Sequence, residues 1–75
     1  MERYKNLGGN SNVHSFEIAP NAILVMFNDN SVYLYNYGSP GATDVEEMKR
    51  LAIAGQGLNS YIGRVVGKRY ASKLR

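Results

Sequence analysis

The 75-residue chain has no cysteine, which excludes disulfides, a thiolate nucleophile and a Cys-based zinc site. A single histidine, His14, is too little for a His-rich metal centre. No run approaches the roughly 18 to 20 consecutive apolar residues of a membrane helix, and the polar N-terminus has no signal-peptide core. A cytoplasmic protein with no membrane partner is therefore expected. Folding at this length buries only roughly 60% of the unfolded surface, so there is little room for an interior pocket lined with catalytic groups. With 44% hydrophobic and 20% charged residues the composition is that of an ordinary soluble domain, and one domain is the ceiling.

Acidic residues are also missing from Met48 onward, where the chain carries Lys49, Arg50, Arg64, Lys68, Arg69, Lys73 and Arg75. Asp44, Glu46 and Glu47 cluster just before that point and suit the positive end of a helix dipole better than an acid/base pair. The basic half reads either as a solvated helix face with a frayed terminus or as an anion-binding surface.

Residues 1–12 contain Asn6, Gly8, Gly9, Asn10, Ser11 and Asn12, a turn-forming composition expected to make an N-terminal arm. Three β-like runs follow, Val13 to Ile18, Ala22 to Phe27 and Val32 to Tyr37, separated by turn signals. Connections of two to four residues force antiparallel neighbours. The middle run is apolar at every position, which suits a strand covered on both faces. The arm or a second copy of the chain could provide the second cover. After the breaker Gly38 to Ala42, Thr43-Asp44-Val45-Glu46 fits a capping box, and Val45, Met48, Leu51 and Ala52 make an apolar stripe with Lys49 and Arg50 off it. Gly55 offers a left-handed stop. A second helix is expected over about Leu58 to Val66, with Leu58, Tyr61, Ile62, Val65 and Val66 on one face and Gly63 weakening it. The fold class is therefore α+β, a three-stranded antiparallel β-meander followed by two α-helices. The domain spans 13–70, and 71–75 form a basic C-terminal tail.

Tyr33, Tyr35 and Tyr37 alternate, so their rings share one sheet face, where they could stack bases or pack beneath the helices. Gly55-Gln56-Gly57 precedes the second helix, where backbone N–H groups could hold an anion or simply make a tight turn. Asn59 lies in the first turn of that helix and could cap the loop or reach a ligand. Arg64, Lys68 and Arg69 follow as candidate cations for the same anion. His14 and Ser15 are adjacent on a strand and should face opposite sides, so nucleophilic catalysis finds no support.

From Ser15 to Tyr70 the chain resembles the KTSC domain, a family named for its occurrence at the C-terminus of some lysyl-tRNA synthetases and found also as small standalone proteins of bacteria and their viruses. The carrying residues are Ile23-Leu24-Val25-Met26-Phe27, Val32-Tyr33-Leu34-Tyr35, and Gly55-Gln56-Gly57-Leu58-Asn59-Ser60-Tyr61-Ile62 with Arg64 and Tyr70 behind. The resemblance implies a small α+β domain and an RNA or other nucleic-acid ligand. Together these readings give a non-enzymatic binding module without a cofactor. Its ligand would be RNA or a small nucleotide, as in a phage or defence-related protein, held by Gly55, Gly57, Asn59, Tyr61, Arg64, Lys68, Arg69 and Tyr35. The alternative is a homo-oligomeric assembly protein that docks a protein partner through its apolar sheet face.

Overall fold

Period-two alternation divides the sheet into a helix-covered face and an open one. The computed structural model describes residues 1–75, with strands β1 (Glu2–Arg3), β2 (Val13–Ala19), β3 (Ala22–Phe27), β4 (Val32–Asn36) and β5 (Ser72–Lys73). They form one antiparallel sheet in sequence order. Phe16 lies opposite Val25, Val25 opposite Tyr33, and Ile23 opposite Tyr35, so all of these point to one face. There Phe16, Ile23, Val25 and Tyr35 are buried against Val45, Met48, Ala52, Leu58, Ile62 and Val66.

The α+β class and the antiparallel meander hold, but the sheet has five strands instead of three. Both additions are two residues long, too short for alternation to show in the sequence. The arm does not cross the open face. It pairs along β2, and beyond β1 it inserts Tyr4, 3% exposed, into the helix-side core. The Leu58 N–H donates to the Tyr4 hydroxyl at 3.3 Å, and the Leu7 N–H donates to the Gly55 carbonyl at 2.8 Å.

Helix α1 (Ala42–Ala54) buries Val45, Met48 and Ala52. Its N-cap is Gly41, with no side-chain cap, so the expected capping box is not formed. Thr43 lies inside the first turn, and Glu46 instead pairs with Lys49 at 2.8 Å and accepts from the Tyr37 hydroxyl at 2.7 Å. Lys49, placed off the apolar stripe by spacing, is buried. Its stem packs down while its ammonium reaches the Pro20 carbonyl at 3.0 Å. Gly55 ends the helix at φ 78° and ψ 22°, the left-handed stop the sequence suggested. A Cβ there would lie 2.6 Å from Lys5 Cβ. Gly55→Ala should therefore cost about 1–2 kcal/mol from the left-handed backbone alone, with arm displacement added, and urea denaturation checks it.

The second helix is not a uniform α-helix. Helix α2 (Leu58–Tyr61) passes into a π-helical turn over Ile62–Val66, in which the Gly67 N–H donates to the Ile62 carbonyl at 2.6 Å. Widening the turn changes the phase of the side chains. Ile62 and Val66 stay buried, whereas Val65, expected on the same face, is exposed.

Candidate functional site

One end of the helix-covered face is left open, because the helices do not reach the β3–β4 hairpin. A cleft of about 640 Å³ lies there, bounded by Asn12, Phe27 and the hairpin turn Asn28, Asp29 and Ser31 on one side, and by Gly67, Lys68 and Tyr70 on the other. Tyr33, Tyr35 and Ile62 also line it. Its volume falls in the range of roughly 300–1,000 Å³ typical of small-ligand sites.

Strand pairing assembles its aromatic wall. The Ala71 N–H donates to the Leu34 carbonyl at 2.8 Å, which lays the C-terminal segment along β4 and brings Tyr70 edge-on to Tyr33, with centroids 4.7 Å apart. Phe27 meets Tyr33 from the neighbouring strand at 5.6 Å, and Tyr35 lies 6.5 Å along β4. The Lys73 ammonium stands 5.7 Å from the Tyr33 ring centroid.

The six tyrosines divide into two groups. The hydroxyls of Tyr4, Tyr37 and Tyr61 are bonded to the Leu58 N–H, Glu46 and Asp44 respectively. The hydroxyls of Tyr33, Tyr35 and Tyr70 have no partner in the chain, and all three residues line the cleft. Tyr35 is 2% exposed, yet no sealed side-chain polar atom lacks a partner, so its oxygen opens into the cleft. Burial, with smaller contributions from the neighbouring Tyr33 and Tyr70 phenols, pushes its pKa up to about 12. At neutral pH it is a protonated donor. Asp29 on the rim is held below the usual carboxylate range by the Ser31 hydroxyl and then the Ser31 N–H, at 2.6 and 3.0 Å.

The eight residues singled out by sequence are divided among three places, with Arg64 outside all of them. Tyr35 and Lys68 belong to the aromatic cleft. Gly57 and Asn59 border a second, smaller hollow of about 150 Å³ beneath the arm, walled by neutral groups such as Asn6, Asn10, Ser11 and Gln56. Gly55 adjoins it only through its contact with the arm. Tyr61 and Arg69 are engaged by Asp44, whose Oδ1 accepts from the Tyr61 hydroxyl at 2.6 Å and whose Oδ2 pairs with Arg69 Nη2 at 3.0 Å. Arg64 is exposed and in no ion pair. The single anion loop expected from Gly55 to Arg69 is thus not assembled. The wider π turn and the pull of Asp44 separate its members. Phe27, Tyr33 and Tyr70 take its place. Tyrosine alternation already marked Tyr33, whereas Tyr70 reaches the site only through the pairing of β5.

Asp44 provides a pH test of the helix entrance. The Tyr61 hydroxyl, and then Arg69, hold its carboxyl below the ordinary value of 3.8, so folding favours the ionised form. The resulting stability is present above about pH 4 and lost as pH falls through the lowered pKa. Asp44→Asn should lower the melting temperature by a few degrees at neutral pH, and the gap from the parent protein should narrow as the pH is lowered below about 4, as read by thermal melts across that range.

His14 and Ser15 do not face opposite sides as strict alternation required. The β2–β3 register shifts between Val13 and Ser15, and this bulge turns the ring so that His14 Nδ1 lies 3.2 Å from Ser15 Oγ. The Ser15 hydroxyl donates to Met1 Sδ at 3.6 Å and is buried at 3% exposure, so its proton is not directed at the imidazole.

No protein-family model, curated protein or solved structure matches this chain.

Proposed function

We propose that the protein is a small non-enzymatic binding module whose aromatic cleft takes an anionic, ring-bearing ligand, a nucleotide unit that is either free or part of an RNA. The single observation carrying this reading is the set of three unpartnered tyrosine hydroxyls, Tyr33, Tyr35 and Tyr70, around one cleft that Lys68 also borders. Aromatic rings supply stacking area at roughly 1–3 kcal/mol per base, and hydroxyls with a lysine supply donors to an anion. The order of motifs from Ile23 to Tyr70 supports the same reading through its resemblance to the KTSC domain.

The disposition of charge favours one nucleotide unit over a long tract. Lys49, Arg50 and Arg69 are each paired with a carboxylate, which leaves Lys68 and Lys73 as the cations beside the cleft. Log affinity for RNA should accordingly fall by only about one unit per tenfold rise in salt, the slope of one or two phosphates. Titration with a ribonucleotide should shift the aromatic NMR signals of Phe27, Tyr33 and Tyr70, and Lys68→Ala should weaken binding several-fold. Unmoved cleft signals at millimolar nucleotide would sink the proposal.

A second reading is favoured by the open sheet face. Leu24 lies opposite Leu34 and Met26 opposite Val32, pointing away from the helices. Leu24, Met26 and Leu34 are only partly buried. The chain ends flank them, with Met1 Sδ against Ser15 and the Arg75 guanidinium 3.5 Å from Met26 Sδ. Self-association of two copies through this face would cover the apolar pairs. Light scattering over micromolar to millimolar concentration tests it: a dimer that Leu34→Glu dissociates supports assembly, and a monomer throughout refutes it.

A further inference from the structure

The number and burial of the donors restrict which anion the cleft can hold. Tyr35 provides the most buried of them, on a side chain 2% exposed that lines the cleft and whose unpartnered oxygen is not sealed. Each phenol donates one hydrogen and an ammonium up to three. A phosphodiester within a strand offers two non-bridging oxygens and must let an ester arm leave on each side. A terminal monoester offers three oxygens and has one arm. Tyr35 and Ile62, both buried, are among the residues that line the cleft, and three phenol donors with one ammonium match the three oxygens of a monoester better than the two of a diester.

We propose that the cleft seats a terminal phosphate monoester, the end group of a nucleotide or of a phosphorylated strand, on the hydroxyls of Tyr33, Tyr35 and Tyr70 with Lys68 supplying the charge. This rests on the reading of the cleft as an anion site and specifies the anion. The other charged groups at the opening are Asp29 and Lys73. The Asp29 carboxylate accepts from the Ser31 N–H and hydroxyl on the exposed hairpin turn, and Lys73 adds positive charge over Tyr33.

The test is calorimetric and NMR titration of the full-length protein with four probes: a nucleoside 5′-monophosphate, the matching nucleoside, and a short oligonucleotide with or without a 5′-phosphate. The monophosphate should bind at least tenfold more tightly than the nucleoside, and the oligonucleotide should bind only when phosphorylated. Tyr35→Phe, which keeps the ring and removes the most buried donor, should weaken the monophosphate at least tenfold with the melting temperature nearly unchanged. Affinity should rise from about pH 5 to pH 7 as the monoester loses its second proton near pH 6. The groups facing the cleft are Asp29, Lys68, Lys73 and the three tyrosines; of these Asp29 is held below the usual carboxylate range and Tyr35 is pushed up to about 12, so neither changes charge over that range. Equal binding of the two oligonucleotides would overturn the monoester seat while leaving the anion site standing, and so would equal binding of nucleoside and nucleotide leave only the ring-binding surface. A cleft that no probe perturbs would overturn both proposals.

Discussion

Tyr4→Ala is expected to remove about 3–5 kcal/mol, the usual cost of truncating a buried aromatic to alanine. A domain of this length has a total stability of only about 4–11 kcal/mol, so the variant should be largely unfolded under mild denaturant or modest warming. The side chain comes from a segment whose turn-forming sequence reads as an N-terminal arm, yet it is 3% exposed and part of the central cluster. Tyr4→Phe separates packing from hydrogen bonding. It keeps the ring but leaves the buried Leu58 N–H without its acceptor, at a cost of about 1–3 kcal/mol. Urea denaturation of both variants should order them parent, Phe, Ala. Parent-like stability in Tyr4→Ala would show that the arm does not contribute to the core.

Elements with enough residues to display a period were legible in the sequence. Strands β2 and β4 and the body of α1 show a period over five or more positions, β3 is a continuous apolar run between turn signals, and Gly55 carries the conformation its residue type allows. The missing parts are those whose form depends on distant partners. Strands β1 and β5 exist because β2 and β4 offer unpaired edges, and two residues cannot reveal that. The capping box at Thr43 failed because Gly41 accepts the first helical bond from the Val45 N–H, which starts the helix two residues earlier than a Thr43 cap permits.

The site was half legible for the same reason. Tyr33 and Tyr35 share a face by alternation, and the sequence leaves open whether that face is core or platform. The structure divides the two roles along one strand: Tyr35 is buried, and Tyr33 is partly open beneath Tyr70. Lys68 and Arg69 are adjacent in sequence and look equivalent, but Asp44 captures only Arg69, a choice made by three-dimensional proximity across 25 residues. Charge counting alone overstates the number of cations available to a ligand.

Deleting residues 71–75 should both destabilise the fold and open the cleft. Beyond the β4–β5 ladder, the segment makes four backbone hydrogen bonds at β4: Ala71 N–H to the Leu34 carbonyl, Leu74 and Arg75 N–H to the Val32 carbonyl, and Val32 N–H to the Arg75 carbonyl, at 2.8, 2.7, 3.4 and 3.0 Å. At about 0.5–1.5 kcal/mol each, their loss amounts to about 2–6 kcal/mol. The freed edge of β4 would also present unpaired groups to other chains, so concentration-dependent aggregation is expected. Tyr70 would lose the pairing that holds it against Tyr33, and nucleotide affinity should fall more than tenfold. A charge-only control, Lys73→Ala with Arg75→Ala, keeps the backbone and should leave the melting temperature within a few degrees of the parent. Hydrogen exchange gives the local readout, since the Val32 amide should change from protected to rapidly exchanging on deletion and stay protected in the control. If the deletion leaves that amide protected and the affinity intact, residues 71–75 are a solvated basic tail and the aromatic cleft does not depend on them.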